Sequence, residues 1–401
     1  MRVYGFAMSL IFLTLSVVVY PLANAESHVE VTTKDWSPIT KVVEKMIAKK
    51  QISGAQILVQ HKGEMVYFSS FGMRDLKEKS PVKQDTIFRI YSMTKPITSV
   101  AAMMLVESGQ LELDKPVGDY IPELRDMPVY GQSKRESNTY NMTVRQLMNH
   151  TSGLTYGFFS NTPVDKMYRR SQPLLSQNNQ KMIEKLAEIP LLYPPNEKWH
   201  YSIATDVLGH LVERVSNQSL ERFFTRRIFE PLDMKDTSFH IDKGKLSRFS
   251  SSYNAKLGLV ERYNKSYFQI KDRIQSGGGG LISTSEDYLH FCQMLLQKGI
   301  WNGKRLLKKS SVAEMTKNQL PSGVLAYGFF GFGLGFQIQT QDWGNKGHIG
   351  EYSWSGAAST HFWISPKDEL IVIAMSQREP FSNQLKDKLK PVIYDIIEAD
   401  K

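Results

Sequence analysis

The stretch Phe88–Gly109, FRIYSMTKPITSVAAMMLVESG, is apolar enough to be core, yet it sets a serine and a lysine three residues apart near its start. The run after Pro96 has the pattern of a buried helix, and Gly109 supplies its stop. On a helix, residues three apart share a face, with Cβ atoms roughly 5–6 Å apart. A serine hydroxyl is a weak nucleophile until a neighbour takes its proton. Lysine can do this when burial disfavours its charged form, and the apolar residues around Lys95 provide the burial. The helix start adds backbone N–H groups that can stabilise an oxyanion. Ser92 and Lys95 therefore read as a candidate nucleophile and its proton partner. Spacing alone does not carry this, because Ser-x-x-Lys recurs at Ser80–Lys83. That copy lies in the polar, proline-containing SPVK with no helix after it, and is set aside.

Upstream, WSPITKVVEKMIAKK predicts an amphipathic helix with Ser37 as N-cap and Pro38 at the first helical position. AQILVQ and EMVYFSSFG flank the turn HKG and predict a β-hairpin. From about Asp119 to Gln275 the character changes to helical patterns, TVRQLMNH, NNQKMIEKLAEI, TDVLGHLVERV and LERFFTRRIFEPL, separated by loops marked with Pro and Gly. After QSGGGGLIST come a helix over about Glu286–Gln297, the strand-like runs GLGFQIQT, STHFWISP and LIVIAMS, and a final helix from about Gln384 to Glu398. Strands at both ends with a helical middle predict an α+β fold. Residues 26–118 and 276–401 would form an antiparallel sheet flanked by helices, with a mostly helical domain, 119–275, inserted. A cleft between the two is a natural ligand site. The run Gly277–Gly280 lacks a following Lys-Ser/Thr, so it reads as a tight turn rather than a phosphate loop.

The N-terminus predicts export. Arg2, the apolar run Leu10–Val19 and Ala23-Asn24-Ala25 form a leader with cleavage after Ala25, giving a periplasmic or secreted chain. The apolar run is too short for a membrane span. The formal charge is +10, but no Lys/Arg run exceeds two residues. That excess reads as a solvated face with weak attraction to an anionic envelope, not as a nucleic-acid footprint. Cys292 is the single cysteine, so no disulfide forms within the chain; it reads as a small buried hydrophobe.

The second chemical element is KWHYSIATDVLGHLVE, with Tyr201 just before a helix over about Thr205–Val215. A phenol beside a lysine can exchange protons with a reacting group, whereas an isolated tyrosine is more often a packing residue. With Ser92 and Lys95 it gains a partner set. The chain then resembles the class C branch of the serine β-lactamase and penicillin-binding-protein superfamily. The stretches that carry the resemblance are YSMTKPITS, LDKPVGDYIPEL, TVRQLMNHTSGL, PPNEKWHYSIATDVLGHLVE, GGGGLISTSEDY and GAASTHFWISPKDEL, which run across nearly the whole chain. The resemblance implies Ser92 as acylated nucleophile, Lys95 as proton partner and Tyr201 as shared general acid/base. It also implies an oxyanion hole from the N–H of Ser92 and one near Ala357, with no metal or cofactor. His150 in HTSGL also matches and reads as structural.

Two departures from that pattern stand out. Class C enzymes carry Tyr-x-Asn where this chain has Ile203, and Lys-Thr-Gly, which is absent here. Trp354-Ser355-Gly356 and His348-Ile349-Gly350 are the candidates for the third motif; counting back from STHFWISP favours the first. Losing donors suited to a lactam amide and carboxylate weakens binding of substrates that need them. YS…DVLG with W-x-G-A-A resembles family VIII carboxylesterases, which favour short-chain esters. Three readings follow: an esterase on small acyl esters, a β-lactamase or D-alanyl peptidase acting on peptidoglycan peptides, and a non-catalytic binding module. Intact Ser92, Lys95 and Tyr201 argue against the third.

Overall fold

The hairpin expected around HKG seeds the sheet. In the computed structural model, which describes residues 34–132 and 141–399, β1 (Gly54–His61) and β2 (Glu64–Asp75) pair antiparallel. Lys62 and Gly63 link them, both at positive φ, 51° and 86°. That conformation matches the twist of a two-residue hairpin, and glycine adopts it without a Cβ penalty. A short β3 (Ser80–Pro81) follows β2. The leader expected over Met1–Ala25 lies outside the described residues.

The other strands come from the far end of the chain: β4 (Gly331–Phe332), β5 (Gln337–Ile338), β6 (Tyr352–Gly356), β7 (Thr360–Ser365) and β8 (Leu370–Ser376). The order is β4-β5-β6-β7-β8-β1-β2-β3. β8 meets β1 from Ala55↔Ser376 to His61↔Leu370, which joins the two ends of the chain into one antiparallel sheet. This is the α+β architecture that the sequence pattern predicts, and the β-lactamase-like one that the resemblance implies. β8 is buried throughout and reads LIVIAMS, a continuous apolar run because both faces are covered. Leu58, Ile371, Ile373 and Met375 face the Ser92 helix. Ile57, Val59, Val372 and Ala374 face the helices Ser37–Ala48 and Gln384–Glu398.

Some local expectations shift. The N-cap of the first helix is Trp36, and Ser37 already lies inside it, with no side-chain cap bond. GLGFQIQT yields only the two-residue strand Gln337–Ile338. Its break has a cause at Gly335, which sits at φ +94° where an added Cβ would lie 2.4 Å from Ser99 Oγ. The glycine lets the segment press against the Ser92 helix instead of running straight. The helical middle packs its Ala204–Ser216 helix on the same side of the sheet. Val207, Leu208 and Leu211 share one apolar cluster with Ile97, Val100 and Met104. Among the described residues, no helix is long and apolar enough to cross a membrane.

Candidate active site

Ser92 lies in a 3-10 turn, Tyr91–Met93, that leads directly into the helix Thr94–Glu107. Tyr91 has φ +41°, a left-handed conformation that costs a non-glycine residue about 1–2 kcal/mol. The strain sits one residue before the hydroxyl. One turn on, Lys95 is completely buried. Its amine donates to the Gly278 carbonyl at 2.6 Å and lies 2.9 Å from the Tyr156 hydroxyl and 3.3 Å from Ser92 Oγ. The Tyr201 hydroxyl donates to Ser92 Oγ at 2.7 Å, across 109 residues of sequence. Lys95 Nζ also stands 4.7 Å from the centre of the Tyr201 ring, a cation–π distance. The fold thus brings Ser92, Lys95 and Tyr201 together.

Three further residues surround Lys95, two of them within the stretches DVLG and GGGG quoted above. Gly278 places its carbonyl on Lys95 because it lacks a side chain. A Cβ there would lie 2.2 Å from Asp206 Oδ2 and 2.9 Å from the Tyr156 hydroxyl. Asp206, fully buried, accepts from Ser276 Oγ at 2.5 Å, from the Gly278 N–H at 3.1 Å and from Tyr156 at 3.4 Å. Tyr156 bridges Lys95 and Asp206. A signal for Asp206 does exist in the sequence, since a lone acid within ATDVLG interrupts a helix face that is otherwise core, and a buried acid needs partners. Nothing local marks Tyr156.

Burial sets the electrostatics. Desolvation pulls Lys95 down to about 7, and the charge of Asp206 opposes that pull. Asp206 is itself raised by burial, against the attraction of Lys95. Burial pushes Tyr201 and Tyr156 above the ordinary phenol range. The Gly278 carbonyl can only accept. A neutral Lys95 would therefore spend its two N–H groups on Gly278 and Tyr156 and turn its lone pair toward Ser92.

Aromatic rings back the site. His150, buried and held uncharged by desolvation, lies 4.9 Å from the Tyr201 ring and 5.4 Å from Phe332. Trp354, buried on β6, lies 5.3 Å from Tyr201 and 5.2 Å from Phe332. Gly356 ends β6 where a Cβ would lie 2.2 Å from the Ile90 carbonyl oxygen. The strand end is therefore pressed against the backbone two residues before Ser92, and Ala357 follows in an exposed turn. Trp354-Ser355-Gly356 flanks the reactive turn.

His348-Ile349-Gly350 does not. It precedes β6, and His348 is held away by Asp368 at 2.6 Å, by Glu398 at 3.1 Å and by the Tyr394 ring at 5.0 Å. Gly350 sits at φ +85° in the turn before the strand. Ile203 is buried at the start of the Ala204–Ser216 helix and offers no hydrogen bond where an asparagine would.

The family model described as Beta-lactamase matches residues 39–391. An uncharacterised protein of Mycobacterium tuberculosis is 31% identical over 351 residues, covering 82% of this chain and 86% of that one. Esterase EstB of Burkholderia gladioli is 26% identical over 381 residues, with 88% and 93% covered. Among solved structures, EstCE1, described as a hydrolase with promiscuous acyltransferase activity, superposes with a TM-score of 0.78 at 23% identity, covering 89% of this chain and 98% of that one.

Proposed function

The chain belongs to the beta-lactamase family, and on that premise we propose that it is an exported serine esterase acting on small acyl esters through an acyl-enzyme on Ser92. The observation that carries the reading is the double contact on one hydroxyl. Ser92 Oγ meets a buried amine at 3.3 Å and a half-buried phenol at 2.7 Å.

Because burial keeps the Tyr201 proton in place, the first acceptor is Lys95. Ser92 Oγ attacks the ester carbonyl as its proton moves to Lys95 Nζ. The oxyanion is met by the N–H groups of Ser92 and Ala357. Tyr201 hands a proton to the departing alkoxide and regains one from Lys95, and water then repeats the sequence on the acyl-serine. Preference for an ester over a lactam rests on Trp354, backed by the buried Phe332, an aromatic ring in the third motif where a substrate carboxylate would need a cation. The similarity to a Burkholderia gladioli esterase supports the same choice. The leader pattern ending at Ala25 supports export.

The test pairs p-nitrophenyl butyrate and a cephalosporin in parallel hydrolysis assays, with intact-mass detection of the acyl-enzyme. Fast ester turnover with little cephalosporin loss is expected. A stable cephalosporoyl adduct without ester turnover would move the assignment to the cell-wall peptide reading.

The pH profile follows from the sign of the Lys95 shift. Only the neutral amine accepts the Ser92 proton, so kcat/KM should rise with pH through about 7 and level off above it. Asp206 favours the charged amine; Asp206→Asn should therefore move this rising limb to lower pH. A limb that stays in place in that variant would remove Asp206 from the control of Lys95.

A further inference from the structure

Two segments that carry no Asp, Glu, Lys or Arg, 151–164 and 318–341, converge over the Ser92 site. The first reaches it through Phe159, 5.7 Å from Tyr201. The second reaches it through Tyr327, 4.6 Å from Trp199 and 6.4 Å from Trp354. Their outward side chains are large and apolar. Phe158 and Phe329 are each 63% exposed, and Phe159, Leu325 and Tyr327 are exposed beside them. Single exposed hydrophobes need no explanation, but five on two loops that both reach the Ser92 site mark a contact surface.

The exposed charge beside the first loop has one sign, whereas the second segment is followed by the exposed Asp342. The helix Pro163–Ser171 continues the first loop and exposes Lys166, Arg169 and Arg170. Arg169 is tied back to the loop by donating to the Ser160 carbonyl and to Asn161 Oδ1. None of the three cations forms an ion pair among the described residues. The nearby acid, Asp165, is buried and occupied by Thr155 and Thr162.

We infer that the rim of the Ser92 site is a docking surface for an anionic lipid membrane, which seats the mouth of the cleft on the lipid. Aromatic and aliphatic tips enter the interface while neighbouring Lys and Arg meet anionic headgroups. A second copy of the chain fits less well. Isologous pairing would set the patch against itself and bring the cations together. A small acyl substrate cannot cover side chains that point outward from both loops. The inference goes beyond the esterase reading and does not depend on it, because docking requires no chemistry at Ser92.

The test is co-sedimentation of the full-length protein with vesicles of phosphatidylcholine alone or with phosphatidylglycerol added, at low and high salt. Binding to the anionic vesicles only, weakened by salt, is expected. Lys166→Gln with Arg170→Gln should lower partitioning roughly thirtyfold. Leu325→Ser with Phe329→Ser should lower it about tenfold. Both double variants should keep the thermal melting transition of the unaltered protein, which shows that they are folded.

Absence of binding to anionic vesicles overturns the proposal, as does binding that both double variants leave unchanged. A dimer in sedimentation velocity that Leu325→Ser with Phe329→Ser dissolves would make the rim a protein contact instead. Vesicle binding without any ester turnover would uphold the docking and sink only the esterase assignment.

Discussion

Ser92→Ala is expected to bring ester turnover to background, a loss on the order of ten-thousandfold or more in kcat. The size follows from the mechanism, because no acyl-enzyme can form without the hydroxyl. The fold should survive. Ser92 is only half-buried, and the change deletes its bonds to Tyr201 at 2.7 Å and Lys95 at 3.3 Å. Losing such bonds costs about 1–2 kcal/mol, a shift of a few degrees in the melting temperature. The check is turnover, active-site labelling by a fluorophosphonate and thermal melting on the same preparations. Equal turnover in the variant would place the nucleophile elsewhere.

Tyr201→Phe should cost about a thousandfold for an alkyl ester, whose alkoxide needs a proton as it leaves, within the usual range of general acid catalysis. For a p-nitrophenyl ester the loss should be far smaller, about tenfold, since that leaving group departs as a stable anion. The ring itself stays packed between Trp354 at 5.3 Å and His150 at 4.9 Å, so the variant isolates the hydroxyl. The ratio between the two substrates separates the proton donor from a merely structural role. Equal losses on both esters would mean that Tyr201 acts on Ser92 alone and not on the leaving group.

Much of this site is legible before any coordinates. Ser92 and Lys95 share one helix turn, so their neighbourhood is local and their spacing reports it. Tyr201 is distant, but its motif is specific enough to be found through family resemblance. The choice between Trp354 and His348 is of another kind. Both triplets lie just upstream of β7 in sequence, and only the start of β6 at Tyr352 separates them. His348 falls before the strand, where carboxylates from a neighbouring turn and the C-terminal helix hold it.

Tyr156, Asp206 and Gly278 show where sequence reasoning runs out. Asp206 stands out only as a lone acid on a core helix face and Gly278 only as one of four glycines, and all three roles arise from approach to Lys95, across 61 residues for Tyr156 and 183 for Gly278. From sequence alone come the hairpin, the sheet built from both ends of the chain, the helical middle and the Ser-Lys-Tyr set. The fold elements and the Ser92–Lys95 pair follow from periodicity and from residues a turn apart, which are short-range properties; Tyr201 follows from the family resemblance. Tertiary structure alone decides how dry Lys95 is, which carbonyl holds it, which anion opposes its deprotonation and which loops ring the mouth. Desolvation depends on everything packed around a group, and no single segment of the chain encodes it.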